Sequence, residues 1–212
     1  MTRLLRIDSS SRTEGSHSSQ LADQAEDIWR KANPQGKIVH RHLGRDPIPV
    51  LSQETITGFF SPQDTLTDDL REATALSDQL IEELQTADTL LLAVPIYNFS
   101  VPAALKCWID QITRIGHTFA YEDGAFRGLT KTRRAVVICA YGADGYLEGQ
   151  AFEAANFLDP YLRFLLSFLG IEDIAVVSVQ ATTADETTVA AHHAQSVADL
   201  STAMAESRLE TT

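Results

Sequence analysis

Thr89-Leu90-Leu91-Leu92-Ala93-Val94 is an unbroken apolar run. A run of this kind suits the central strand of a parallel sheet, where helices cover both faces. Upstream, Leu70, Ala73, Leu76, Leu80, Ile81 and Leu84 recur at helical spacing, which predicts a helix over 67–85. Thr67 is its natural N-cap, with Asp68 and Asp69 in the first turn. Downstream, a second helix is predicted from Val101 to Ile115, entered through Pro102. The same unit recurs along the chain. Leu4–Ile7 reads as a strand, Ser18–Ala32 as a helix and Ile38–His42 as an edge strand. Ala135–Ala140 is another buried strand. Phe157–Leu169 is a helix stopped by Gly170, Ile174–Val179 is the last strand, and Asp185 to Glu206 is a closing helix. Gly44–Thr65, with Pro47, Pro49 and Pro62, reads as a long irregular segment, a candidate functional or interface loop.

Five strands alternating with five helices imply an α/β fold, a parallel sheet between two helical layers. The 212 residues suffice for a single domain, 1–212. The net charge of -12 argues against nucleic acid or an anionic membrane as the main partner, since both need a basic face. There is no signal-peptide h-region and no run long enough to span a membrane, so the chain is expected to be cytoplasmic. Cys107 and Cys139 lie in no CxxC or Cys/His ligand spacing, so they are read as reduced thiols and no metal site is expected.

In doubly wound sheets, ligands sit beyond the carboxyl ends of the strands. Three loops fall there. The first, Ser9-Ser10-Ser11-Arg12-Thr13-Glu14-Gly15-Ser16-His17-Ser18-Ser19, offers hydroxyl donors ahead of a helix N-terminus, a combination that attracts phosphate. It lacks both GxGxxG and GxxxxGK[ST]. An ordinary capped loop would look similar, and His17 could serve only as a cap. The second, Pro95-Ile96-Tyr97-Asn98-Phe99-Ser100-Val101-Pro102, is stiffened by prolines. Its aromatics would either stack on a planar heterocycle or pack as core. The third, Tyr141-Gly142-Ala143-Asp144-Gly145-Tyr146, is either a close approach to a ligand or a plain strand exit.

These stretches resemble the FMN-dependent NADH-azoreductases, which also act as quinone reductases. The similarity runs along nearly the whole chain and is most specific in Pro95-Ile96-Tyr97-Asn98-Phe99. Pro47-Ile48-Pro49-Val50-Leu51, Leu76-Ser77-Asp78-Gln79-Leu80-Ile81, Phe119-Ala120-Tyr121 and Pro160-Tyr161-Leu162 are also family-like. The resemblance implies a flavodoxin-like three-layer sandwich with strand order 2-1-3-4-5. It assigns the FMN phosphate to Ser10, Ser16, His17 and Ser18. The isoalloxazine would lie along Pro95, Ile96, Tyr97, Asn98 and Phe99. The resemblance also sets Ala140, Tyr141, Gly142 and Ala143 against the flavin, where the family usually has Ser-Arg-Gly-Gly, and only Gly142 matches. The substrate pocket would be formed by Asn98 and by Phe119, which would reach across a homodimer with FMN at its interface. Ser61 stands where the family has a substrate-contacting arginine.

The implied reaction is ping-pong: NADH or NADPH gives hydride to FMN N5, and a quinone or aromatic azo compound then takes it. The chemistry belongs to the flavin, so no catalytic side chain is assigned. No Ser-His-Asp order or glycine elbow points to a nucleophile. An NAD(P)H:FMN reductase and a flavodoxin-type electron carrier are alternatives. A phosphatase would need a Cys-x5-Arg loop after the first strand, and a receiver an acidic cluster of which only Asp8 is in place.

Overall fold

A computed structural model describes residues 2–205 of the chain. Its elements in order are β1 (Arg3–Asp8), α1 (His17–Ala32), β2 (Lys37–His42), α2 (Gln53–Phe60), α3 (Asp68–Thr86), β3 (Thr89–Pro95) and α4 (Ala103–Ile112). There follow β4 (Phe119–Glu122), β5 (Ala125–Gly128), β6 (Arg134–Ala140), α5 (Asp159–Phe168), β7 (Asp173–Val179) and α6 (Glu186–Ala205). Five strands form one parallel sheet in the order β2-β1-β3-β6-β7. With the β4–β5 hairpin set aside, this is the expected 2-1-3-4-5 order of the flavodoxin-like sandwich.

The apolar run at β3 is the centre of the sheet, and its pleat divides it between two cores. Leu90, Leu92 and Val94 face one side, where they join Leu80 and Leu84 of α3, Trp108 of α4 and Leu162 of α5. Leu91 and Ala93 face the other, with Leu21, Ala25 and Trp29 of α1 and Leu200 of α6. Alternate residues of a strand point to opposite faces, so an unbroken apolar run is what two covered faces require.

The expected boundaries change in three places. Gly44–Thr65 is not wholly irregular, because it contains α2. Ser52 caps this helix, accepting a hydrogen bond from the Thr55 N–H at 3.1 Å. Gly58 lets α2 settle on α3, since a β-carbon there would stand 2.6 Å from Thr74 Cγ2. The segment 119–128, to which the sequence reading assigns no element, is an antiparallel hairpin. Its two-residue turn, Asp123-Gly124, has both φ angles positive, at 52° and 81°, as a type I′ turn demands. The helix predicted over Val101–Ile115 is shorter, Ala103–Ile112, because Pro102 starts it and Thr113 closes it.

The caps read from sequence are in place. Thr67 accepts from the Leu70 N–H at the start of α3, and Gly170, at φ 100°, follows the last turn of α5. Asp185 caps α6 through the Thr188 N–H. Glu206 lies outside the described residues. No helix of the described residues is long and apolar enough to cross a membrane.

Candidate functional site

The carboxyl ends of β1, β3, β6 and β7 meet around a cavity of about 200 Å³. From the first loop it is lined by Ser10, Arg12, Ser16, His17 and Ser18. Pro95, Ile96 and Tyr97 come from the end of β3, Ala140 and Gly142 from the end of β6, and Thr182 and Thr183 from beyond β7.

The first loop is organised by its own hydroxyls. Ser9 is buried and spends its hydroxyl on the Ala93 carbonyl at 3.0 Å, so it anchors the loop to β3. Ser10 Oγ accepts from the Arg12 N–H at 3.1 Å. Ser16 is the N-cap of α1, accepting from the Ser19 N–H, and its hydroxyl lies 3.2 Å from that of Ser18. The first-turn N–H groups of a helix carry partial positive charge. Hydroxyls, a helix N-terminus and the guanidinium of Arg12 together make a donor set that fits a phosphate.

The second loop is a tight turn. The Tyr97 N–H donates to the Ser100 carbonyl at 2.9 Å, and the Ser100 N–H returns to the Tyr97 carbonyl at 3.1 Å. Asn98 and Phe99 between them have φ of 47° and 73°. Two consecutive positive φ angles define a type I′ turn, which Asn tolerates but which strains a Phe. The strain is held by the Phe157 N–H, which donates to the Phe99 carbonyl at 3.0 Å. The N–H groups of Asn98 and Phe99 have no acceptor among the described residues, so the turn presents two backbone donors side by side. The Tyr97 phenol accepts from the Ser11 N–H at 3.2 Å, tying this turn to the first loop.

Asn98 lines a second cavity of about 540 Å³, which shares Tyr97 with the first. Its other walls include Val101, Lys106 and Tyr161. Burial pushes the Tyr161 phenol above its ordinary pKa, nearby Lys106 pulls it down, and Asp110 adds to the rise.

The third loop is arranged differently. Tyr141 is fully buried and lines neither cavity. It stacks on Tyr146, with centroids 5.2 Å apart, and its hydroxyl accepts from Asn156 Nδ2 at 3.3 Å. Its phenol is pushed well above the usual range, first by burial and then by the neighbouring Cys139 thiol. Cys139 is itself buried and raised to about 12, chiefly by burial. Neither cysteine is in a disulfide. Ala143 is exposed and accepts from the Ala181 N–H at 3.2 Å. The loop is stitched to the residues beyond β7: Thr182 N–H donates to the Tyr141 carbonyl and Thr183 N–H to that of Gly142, both at 3.1 Å.

Phe99 is about half exposed beside the cavities. Phe119 sits in β4, within an aromatic cluster with Phe126 and Phe168 at centroid distances of 6.0 and 4.9 Å, and lines neither cavity. Sequence reasoning missed Arg12, Thr182 and Thr183. The two threonines follow the last strand, and the carboxyl-end rule applied to that strand would have pointed to them.

A larger cavity of about 620 Å³ lies on the other side of the first loop. Asp8, Glu14, Asp23, Glu26 and Asp27 line it together with Arg6, Arg41 and Arg45. Arg6, buried in β1, pairs with Asp8 at 2.8 Å, Asp23 at 2.8 Å and Glu26 at 3.0 Å. Arg12, His40 and His42 also line it, but five carboxylates and the lack of a Phe, Tyr or Trp in its lining make a poor seat for a phosphate bearing a flat heterocycle.

Comparison with known proteins identifies the family. The model of the flavodoxin-like fold family matches residues 2–203. An FMN-dependent NADH:quinone oxidoreductase of Xanthobacter autotrophicus is 48% identical over 176 residues, 83% of this chain and 85% of the relative. The FMN-dependent NAD(P)H:quinone oxidoreductase 1 of Pseudomonas aeruginosa is 38% identical over 185 residues, covering 85% and 87%. Among solved structures, an FMN-dependent NADH-azoreductase of Bacillus anthracis in complex with FMN superposes with a TM-score of 0.84 at 24% identity. That match covers 97% of this chain and 100% of the other. The chain therefore belongs to the flavodoxin-like fold family and, within it, to the FMN-dependent NADH:quinone oxidoreductases.

Proposed function

We propose that this protein is an FMN-dependent NAD(P)H:quinone oxidoreductase that also reduces aromatic azo compounds. The observation that carries the reading is the meeting of a phosphate-type donor set with two free backbone donors. Ser10, Ser16, Ser18, Arg12 and the start of α1 supply the first, and the strained Asn98-Phe99 turn supplies the second. FMN is long, with an anionic end and a flat polar ring, and this pair of features suits its two ends. Bound FMN supplies the redox chemistry, accepting hydride from a nicotinamide and giving it to a quinone or azo acceptor.

The chain's own part is positioning and electrostatics. The serine hydroxyls and Arg12 hold the phosphate, with His17 beside them. Ile96 and Tyr97 give the ring a wall, and the Asn98 and Phe99 N–H groups offer fixed dipoles to its polar edge. Preorganised donors of this kind stabilise developing charge without reorganisation. Ala140 and Gly142 leave the opposite edge uncluttered, and the 540 Å³ space bounded by Asn98 and Tyr161 receives nicotinamide and acceptor in turn.

A single-domain homodimer working in the cytoplasm is part of this reading. Its support is the exposure of large apolar side chains: Val50 at 76%, Phe60 at the end of α2 at 77% and Phe126 in β5 at 62%. Large apolar side chains left this open to water suit contact with another protein surface. Phe119, in the hairpin with Phe126, is then placed to approach a partner's ring.

Anaerobic reduction tests the function. The FMN-loaded protein should lose its flavin absorbance on addition of NADH or NADPH and recover it with menadione or methyl red. A chain that takes up no FMN would overturn the proposal. Bound FMN left oxidised by both nucleotides would favour an electron carrier, and release of reduced FMN would favour an FMN reductase.

A further inference from the structure

His17 is the first residue of α1 and lines the phosphate-type cavity. Its Nδ1 lies 2.8 Å from Nε2 of His193, which projects from α6, 176 residues away along the chain. The two rings are 5.0 Å apart at 49°. His193 does not line the cavity, so it acts there only through His17. We propose that His193 is a positioning residue for the phosphate site, and that the His17–His193 pair takes up one proton when a phosphate ester binds.

The inference rests on the flavin reading, and the geometry sets its terms. A hydrogen bond between two imidazole nitrogens needs a proton on one of them and a lone pair on the other. The pair can therefore be neutral or carry one added proton. A second would leave the contact without an acceptor. Without phosphate the neutral form is favoured: burial holds His17 below its ordinary pKa, and His193 and Arg12 add to the effect. Burial does the same to His193. Among the residues lining the cavity, Arg12 is the other charged group. On α6, His192 adjoins the pair, and Asp185 and Glu186 lie at the start of the helix. The cavity ends of β3 and β6, Pro95 and Ala140, and the nearby Thr182 and Thr183 carry no charge.

A phosphate dianion in the cavity favours the first proton on the pair. The bound-state pKa is then above the free-state pKa. The gain in affinity is full below the free value, under the ordinary histidine range, and is lost as pH rises through the bound value. The phosphate's own second ionisation, near pH 6, opposes this at lower pH. Between pH 6.5 and 9 the imidazole pair dominates.

The test is FMN affinity of the flavin-free full chain, read by quenching of flavin fluorescence from pH 6.5 to 9, for the wild type and His193→Gln. The wild type should weaken with rising pH, at its steepest approaching about tenfold per unit, the limit for one proton. His193→Gln keeps a hydrogen-bonding partner for His17 but removes one of the two ionisable rings, so its profile should be clearly shallower than that of the wild type. Equal slopes in the two proteins would overturn the inference and leave the flavin site standing. Absence of FMN binding at every pH would remove both. Calorimetry of wild-type binding in two buffers of different ionisation enthalpy gives an answer even if the variant does not fold. Net proton uptake near neutral pH supports the inference, and none overturns it.

Discussion

The loop after β1 and the loop after β6 border the same cavity but are held in different ways. The first is knit by short-range bonds among its own residues, Ser10 to Arg12 and Ser16 to Ser18 and Ser19, with two distant anchors, Ser9 on the Ala93 carbonyl and the Ser11 N–H on the Tyr97 phenol. The second is secured by residues far along the chain, Val179, Ala181, Thr182 and Thr183, and by a buried tyrosine pair. A locally bonded loop spends its side chains at the ligand face. A loop bonded from a distance offers the ligand mostly backbone, and its side chains turn inward. This accounts for the contrast between the hydroxyl-lined first loop and the third, where Tyr141 faces the core.

The contrast makes its largest prediction at Tyr141. Placing a cation there with Tyr141→Arg buries a charge at a site with no solvent access. It should cost on the order of 3–5 kcal/mol, visible as a collapse of the thermal midpoint. A variant as stable as the wild type would show that the loop turns outward readily. At the first loop the effect should fall on ligand affinity more than on the fold. Ser16→Ala removes a helix cap, costing about 1 kcal/mol of stability. It also removes a hydroxyl from a charged partner, worth roughly 1.5–3 kcal/mol, so FMN affinity should weaken about ten- to hundredfold. Fluorescence titration beside a thermal melt separates the two losses.

The smallest effect has the opposite sign. Phe99→Gly relieves a positive φ that costs a non-glycine residue about 1 kcal/mol or more. It should raise the denaturant midpoint slightly while raising KM for the acceptor, because the half-exposed ring is lost. A lower midpoint would mean that the Phe99 ring contributes more packing than its backbone stores in strain.

Much of the fold is legible in the chain because its signals are local. The apolar run Thr89–Val94, the caps Thr67 and Gly170, and the alternation of elements are all read within a few residues. The β4–β5 hairpin was equally legible, since Asp123-Gly124 is the strongest short turn signal of all. Helix α2 was less so. It has eight residues, a glycine inside it and prolines on both sides, and it is stabilised by packing on α3.

The candidate site divides along the same line. The hydroxyl-rich stretch Ser9–Ser19 announces itself by composition, and the family resemblance singles out Ser10, Ser16, His17 and Ser18 within it. The Asn98-Phe99 turn shows its aromatics but not its positive φ angles. Thr182 and Thr183 follow the last strand and were within reach of the carboxyl-end rule, whereas the inward turn of Tyr141 and the His17–His193 contact depend on which distant segments meet, and no periodicity carries that information.

The most direct measurement is the change in backbone amide NMR shifts of the full chain on binding FMN. The account predicts that the largest changes fall on Asn98 and Phe99 and on the start of α1 at Ser16–Ser18. Largest changes around Arg6, Asp23 and His40, at the charged cavity across the first loop, would contradict it.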